Sequence, residues 1–389
     1  MRDVTTSGPG LRARAEQLLP NERTFASALR SPGLTARVGV WLAVTFSVCF
    51  GTGLFSHLLQ HPLLGAWRAP ASPVWLYRLS QGVHVTTGVA AIPLLAVKLW
   101  SVAPKFWRRP LLGGLVDGLE RLSILVLVAA ATFQLLTGLL NTAEVYAWTF
   151  FFTTVHFATA WVAIGAIALH VAVKLPVIRT ALTRPLGEPS GRPDGVLSRR
   201  GVLGLAGGGA ALAVVTTVGD KVPQLAGVSV FAQRSGRGPQ DLPVNHSAAA
   251  VDVVDAASSP GWRLEVAGAD RTVRLSRLEL EQMAQTTAVL PLTCVEGWSV
   301  SATWTGVPLR DLLALVGGAP GEVAVRSLES GLYGASTVAA ALAAAPDTLV
   351  ALALNGQPLD LDHGYPARLI AANRPGVLQT KWLRRIEAA

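Results

Sequence analysis

The sequence has little charge and almost no sulfur. Of its 389 residues, 15% are charged and 51% are apolar, with two cysteines and two methionines. So few charges, with a mean hydropathy of +0.43, exclude a disordered or coiled-coil chain and an ordinary soluble enzyme. Two cysteines exclude a disulfide framework. Acidic residues are scarcest in positions 1–219, which hold 8 Asp/Glu against 19 Lys/Arg, whereas residues 220–389 hold 16 against 14. The formal charge of +9 therefore belongs wholly to the apolar part, where it sets membrane topology. This leaves no case for a nucleic-acid partner. The length suggests two or three domains.

Four long apolar runs follow a basic segment, 1–37. They are Val38–Leu59, Leu79–Trp100, Leu122–Leu140 and Phe150–Val173. Each can cross a hydrocarbon core of roughly 30 Å as a helix. Together, residues 38–180 read as a four-helix transmembrane domain. Lys98 sits near one end of its run and can snorkel. A fifth run, Gly201–Gly219, is rich in Gly and Ala and only weakly apolar; with the segment before it, it makes up residues 181–219. Basic residues cluster in 1–37, at Lys105, Arg108 and Arg109, and across 174–200, while Asn141–Thr149 has none. By the positive-inside rule the N-terminus is cytoplasmic. The fourth helix returns the chain to that side, and a fifth, as an anchor, carries residues 220–389 to the extracytoplasmic side. The fifth run opens on Ser198-Arg199-Arg200-Gly201-Val202-Leu203. This resembles a twin-arginine export signal, with Val202 where Phe is usual; two plain anchor arginines are the alternative. No convincing A-x-A cleavage site follows, so the helix is expected to stay.

Ionisable groups inside a bilayer are expensive and are functional candidates. Four of the seven histidines fall in the runs: His57, His84, His156 and His170. Imidazoles facing one another across a helix bundle suit axial ligation of haem. His84 and His156 each lie about two turns in from the outer end of their helices. His57 is slightly shallower. His170 follows His156 by 14 residues, on nearly the same face and about 21 Å deeper. This spacing resembles that of di-haem cytochromes b, but no other histidine lies at the inner depth. The expectation is one haem b on His84 and His156, with His57 as a competing ligand; a second haem would use His170. The topology is similar to that of compact four-helix b-type cytochromes. Histidines that only hydrogen-bond within the bundle are the alternative. Transport is disfavoured, because Glu120 and Glu144 sit at or beyond helix ends.

After a linker, 220–244, in which Gln233–Pro243 reads as disordered or extended, the pattern changes. Trp262–Val266, Val273–Leu275, Val323–Leu328 and Leu349–Leu354 read as strands, Leu278–Met283 as a short helix, and Asn355-Gly356 as a tight turn. Such mixing points to an α+β domain over 245–389. Its chemical centre is Pro291-Leu292-Thr293-Cys294-Val295-Glu296-Gly297-Trp298-Ser299, with Trp304–Leu309 shortly after. Cys49 lies in the first apolar run and cannot pair with Cys294. This stretch resembles the molybdenum-binding loop of the sulfite-oxidase family of molybdopterin enzymes. The resemblance implies that the Cys294 thiolate ligates molybdenum, for which a soft anionic ligand is suited. Ser330–Ser336 resembles the segment carrying an active-site tyrosine, here Tyr333. Asp362-His363-Gly364-Tyr365-Pro366-Ala367-Arg368, with Thr380-Lys381-Trp382, resembles the pterin-binding end. There His363, Arg368, Thr380 and Lys381 would hold the cofactor and its phosphate. Asn245 and His246 match a further upstream cofactor contact.

The resemblance is not uniform. Sulfite oxidases carry an arginine shortly after the metal cysteine, where this chain has Gly297-Trp298-Ser299. That stretch is closer to the bacterial molybdenum enzymes that reduce methionine sulfoxide. Leu378 stands where sulfite oxidases have a basic residue, with Arg374 nearby as a substitute at the substrate. The sequence thus reads as a membrane helical bundle followed by an α+β molybdopterin domain of the sulfite-oxidase type. The implied activity is oxygen-atom or two-electron transfer on a small molecule or sulfoxide, with electrons exchanged through haem b with a membrane quinone. A membrane cytochrome whose outer domain is a cofactor-less binding module is the alternative.

Overall fold

A computed structural model describes residues 27–61, 70–107, 114–186, 197–220, 222–225, 227–230, 238–317 and 321–388. Five helices come first: α1 (Pro32–Gln60), α2 (Leu76–Phe106), α3 (Leu115–Thr142), α4 (Phe152–Thr183) and α5 (Arg199–Val215). The first four are long and apolar enough to cross a membrane, and the chain is a membrane protein. They extend the apolar runs at one or both ends. Pro93, Pro104 and Pro176 lie inside α2 and α4. Helix α5 starts where the amide of Gly201 is capped by the Ser198 hydroxyl, 3.0 Å away. It ends at Val215, before the apolar run does, in a turn at Thr216-Thr217 and a 3-10 turn at Val218–Asp220. Its 17 residues rise about 26 Å, short of a hydrocarbon core of about 30 Å.

The chain forms two compact units: Met1–Ser47, Gly88–Thr137 and Thr153–Val214 in one, and Val48–Thr87, Gly138–Phe152 and Val215–Ala389 in the other. In the first, Leu34, Val38 and Leu42 of α1 pack with Ala91 and Leu94 of α2 and with Val202 and Ala206 of α5. Gly207 and Gly209 bring the α5 backbone against Trp41 and Pro93, the small-residue packing that lets apolar helices approach closely. The Lys98 ammonium donates to the Thr35 carbonyl at 2.8 Å and lies against Gly39, where a Cβ would be 2.8 Å away. Leu119, Leu122, Leu125, Trp161, Leu169 and Val173 expose apolar side chains, as lipid-facing positions do.

The second unit contains two five-stranded sheets. One has the order β2 (Thr272–Leu275), β1 (Leu264–Ala267), β10 (Leu383–Ala388), β5 (Val323–Ser327), β6 (Ala335–Val338). Its β1–β10 pair is parallel, Val266 opposite Ile386, and the other pairs are antiparallel. The other sheet has the order β3 (Thr286–Thr293), β4 (Ser299–Pro308), β7 (Leu349–Leu354), β8 (Gln357–Pro358), with β9 (Arg368–Ile370) also paired to β7. The expected strands and the β1–β2 hairpin are present, and Arg277–Gln282 forms the short helix behind a Ser276–Glu279 capping box. Asn355 and Gly356, at φ 51° and 79°, make the turn between β7 and β8. Pro239–Asp241, within the stretch read as disordered or extended, form a 3-10 turn; Gln233–Arg237 lie outside the described residues.

The pattern did not single out β3, β4, β6, β8, β9 or β10; of these β3 and β4 are the longest and flank Cys294. Pro291 interrupts β3 as a sequence signal. The strand is at the sheet's edge, where a residue without an N–H costs no ladder bond on the open side. One core lies among Leu264, Val266, Leu312, Val325 and Ile386, a second among Leu290, Leu292, Trp298, Trp304, Leu349 and Ile370.

Candidate molybdenum site

Strands β3 and β4 pair as far as Thr293 opposite Ser299, whose hydroxyls are 2.8 Å apart. The five residues between them, Cys294–Trp298, form the loop. The Cys294 amide donates to the Trp298 carbonyl at 2.9 Å, and the Gly297 amide to the Cys294 carbonyl at 3.1 Å. Gly297 takes φ 101°, a backbone region that favours glycine. A parallel bridge from Thr293 to Pro375 ties this loop to the segment after β9.

The loop turns the Cys294 thiol inward, with the residue 5% exposed. Burial pushes the thiol pKa well up, and the Glu296 carboxylate adds to it. The sulfur lies 3.4 Å from the Asn245 amide nitrogen and 3.5 Å from Glu296 Oε2. Glu296 in turn accepts from Asn245 Nδ2 at 2.9 Å, from the Trp298 indole at 3.1 Å and from the Tyr146 hydroxyl. Burial, then this contact, pushes the Tyr146 pKa up.

Beside this lies a second group. His246 Nε2 is 3.0 Å from Glu329 Oε1, and its ring meets the Tyr333 ring edge-on at 5.4 Å. The Lys381 ammonium donates to the His246 and Asp362 carbonyls at 2.8 and 2.7 Å. Cys294 and Glu329 act electrostatically on both Tyr333 and Lys381, so the two groups form one neighbourhood. Asn245, His246, Cys294, Tyr333 and Lys381, separated by up to 136 positions, are thus brought together.

The remaining candidates pack behind. The Arg368 guanidinium lies over the Trp304 ring at 5.4 Å and donates to the His363 carbonyl. His363 is buried, its Nε2 2.7 Å from the Pro239 carbonyl, and burial pulls its pKa down to about 4. Arg374 donates to Thr337, Ser336 and Leu378, and Thr380 shares the Ser336 hydroxyl at 2.7 Å. Arg374 is therefore placed in a buried knot with Thr380.

The donor set fits an anionic cofactor that brings most of its own metal ligands. Arg368 and Arg374 are 3% and 5% exposed and Lys381 is largely buried; among the described residues none of the three pairs with a carboxylate. The Nε atoms of Arg368 and Arg374 are buried without a hydrogen-bond partner. Burial pulls both guanidinium pKa values to about 10 and the Lys381 ammonium to about 7. A phosphate would supply the missing negative charge. Among the described residues no cluster of three or more His, Cys, Asp or Glu could hold a metal. Cys294 would offer such a metal one thiolate ligand.

The sequence reading missed Glu296, Glu329, Tyr146 and Asn373. Glu296 lies inside a quoted motif, two residues after Cys294, and Glu329 directly precedes Ser330–Ser336. Tyr146 is one of only four tyrosines, in the inter-helix segment that lacks Lys and Arg.

The helical histidines are held differently. His84 Nδ1 is 2.8 Å from the Cys49 carbonyl, and a Cβ at Gly53 would lie 2.9 Å from His84 Cε1. The ring is thus oriented at one nitrogen in a cradle that only glycine leaves open, which suits metal ligation through the other nitrogen. His156 Nδ1 lies 3.3 Å from the Thr137 hydroxyl, and its carbonyl accepts from Gln134. The His57 ring lies 4.7 Å from His61. His170 is within electrostatic reach of Lys98, Lys174 and Glu120.

Residues 249–389 match the family model for the oxidoreductase molybdopterin binding domain. The chain is 34% identical over 114 residues to mitochondrial sulfite oxidase of Homo sapiens, covering 27% of this chain and 21% of that protein. It is 34% identical over 135 residues to the putative protein-methionine-sulfoxide reductase subunit YedZ1 of Azospira oryzae, covering 34% of this chain and 50% of that protein. It is 37% identical over 103 residues to nitrate reductase [NAD(P)H] of Hordeum vulgare, 23% of this chain and 12% of that protein. The matched part spans half or less of the length of each of these relatives.

Proposed function

We infer that this chain, whose residues 249–389 are an oxidoreductase molybdopterin-binding domain of the sulfite-oxidase type, is a membrane-bound molybdopterin-dependent oxidoreductase that carries its own b-type cytochrome. The observation that supports this best is the neighbourhood of Cys294, a buried thiol within electrostatic reach of Lys381, with the buried guanidiniums of Arg368 and Arg374, which lack carboxylate partners, packed behind. Molybdenum in its pterin supplies oxygen-atom and two-electron chemistry when bound. The protein's share is positioning. Cys294 gives the single protein ligand. Asn245 holds Glu296 and the sulfur in register. Arg368, Lys381 and the Arg374–Thr380 knot neutralise the anionic cofactor, with His363 fixing the segment that carries Arg368. His246, 32% exposed at its side chain and fixed by Glu329, and half-buried Tyr333 face the substrate, a small molecule or sulfoxide. His84 and His156 would hold a haem b, which would supply one-electron transfer between this site and a membrane quinone. His57 and His170 are the further candidate ligands. The Lys/Arg bias of the sequence supports a catalytic domain on the extracytoplasmic side, with Arg199-Arg200 as export signal.

The test is the composition of purified full-length protein. One molybdenum per chain and a b-type absorption spectrum are expected. Protein loaded with haem but free of molybdenum, after expression with ample molybdate, would overturn the reading in favour of a cytochrome with a binding module.

A further inference from the structure

We propose that the molybdopterin-binding region is seated permanently on the ends of α2 and α3, and that the Cys294–Trp298 loop is the contact point of that seat. Its value for electron transfer rests on the molybdenum and haem reading above, whereas the seat itself rests on geometry alone.

All the contacts lie inside the second unit. Asn373, 3% exposed at φ 53°, accepts from the Tyr77 amide at the start of α2 and donates to the Pro70 and Pro73 carbonyls, at 3.0, 2.8 and 2.8 Å. Its side-chain amide is fully engaged on the segment entering α2. Arg78 donates to the Ser301 hydroxyl of β4 at 3.0 Å. At the end of α3, Asn141 donates to the Val295 carbonyl, and just beyond it Tyr146 donates to Glu296. Gly297 presses its bare backbone onto the helices: a Cβ there would lie 2.9 Å from Val85 Cγ2 and 3.8 Å from Thr142 Oγ1. The seat continues inward, since the buried Tyr77 hydroxyl meets Ser56 at 3.1 Å and Gln81 at 2.7 Å. Buried polar groups satisfied on every side specify one geometry, because any shift strands them without water.

The seat sets a short route. Val85 is the neighbour of His84, and Gly297 follows Cys294 by three residues, so the Val85–Gly297 contact bridges the two candidate metal positions. Electron tunnelling falls steeply with separation, and a fixed bridge removes any search. With molybdenum held at Cys294 and haem at His84, one-electron transfers across this contact would oxidise one group as they reduce the other, and two of them would match a two-electron change of substrate balanced by a membrane quinone or quinol. A domain hanging on a flexible tether would instead meet the helices by diffusion, with a rate that falls as solvent viscosity rises.

The experiment uses the full chain in membranes with Arg78→Cys and Ser301→Cys, neither residue belonging to the metal sites. A short bis-maleimide should join the two introduced cysteines rapidly and nearly completely, while a variant carrying only one of them, with native Cys49 and Cys294 present in every protein, does not cross-link. The purified cross-linked protein should then transfer electrons between haem and substrate at the uncross-linked rate, within about twofold, and at a rate unchanged by added glycerol. Slow or partial cross-linking, with both cysteines labelled readily by a monofunctional maleimide, overturns the seat. So does a rate that drops tenfold on cross-linking or follows viscosity. Cross-linking needs neither cofactor, so a failure of the cofactor reading, seen as missing molybdenum or haem absorption, is told apart from a failure of the seat.

Discussion

The helical histidines and the thiol of the α+β region are held in contrasting ways. His84 Nδ1 lies within reach of the Cys49 carbonyl and sulfur and the Thr52 hydroxyl, and His156 Nδ1 lies by the Thr137 hydroxyl, groups supplied by neighbouring helices. Cys294 sits in a dense network of Asn245, Glu296, Trp298 and Tyr146, beside buried cations that lack carboxylates. The difference follows from solvent. A lipid-facing helix satisfies its own backbone, so a ligand needs only a ring orientation and room. A site for a large anionic cofactor must hold charge in reserve, and that reserve costs stability until the anion arrives.

The contrast can be broken most sharply at Cys294. Replacement by Ser should lower turnover by more than about a thousandfold, because a hard alkoxide of high pKa replaces a thiolate, while the b-type spectrum stays. Steady-state turnover and absorption on one preparation check both halves. His84→Ala should do the reverse. Quinone-linked turnover should fall by more than about a hundredfold with the haem band, while turnover with a dye that meets molybdenum directly stays within about twofold. If the two losses cannot be separated, the sites are not independent.

Arg368→Met tests the reserve of charge. It should cut bound molybdopterin at least tenfold, yet stabilise the cofactor-free protein by about 1 kcal/mol or more, since an unpaired buried cation gives way to an apolar side chain. Cofactor content and thermal unfolding would show both signs; a destabilised apoprotein would mean that the guanidinium is structural. The smallest effect concerns pH. His363 has a folded pKa of about 4 against 6.5 when unfolded. Between those values the unfolded chain takes up a proton that the folded chain refuses. Stability should therefore fall as pH drops from 6.5 towards 4, by at most about 3 kcal/mol from this residue. His363→Gln keeps a donor for the Pro239 carbonyl and should flatten that part of the unfolding profile.

The helices were legible because hydropathy over some twenty residues is a bulk signal, and the structure extends each of the first four runs at one or both ends, by up to ten residues. Helix α5 was read too long, since apolar composition continues past Val215 but helical backbone does not. In the α+β region the strands with clear alternation were found. Strands β3 and β4 were not, because Pro291 and the motif itself masked their pattern. Cys294, Asn245, His246, Tyr333 and Lys381 were named from motifs and do converge. Glu296 and Glu329 escaped because nothing in a linear reading marks a carboxylate as turned inward. Tyr146 and Asn373 escaped because their partners lie 150 and 296 residues away.

The central claim is that molybdenum at Cys294 and a haem in the helices work as one redox chain. It is tested most directly by anaerobic rapid mixing of the dithionite-reduced, desalted protein with a sulfoxide, or of the oxidised protein with sulfite, following the b-type absorption. One of the two substrates should change the haem redox state in the wild-type protein and leave it unchanged in Cys294→Ser. A haem response of equal rate in both proteins, or no response to a substrate that the wild-type enzyme turns over with dye, would contradict the account.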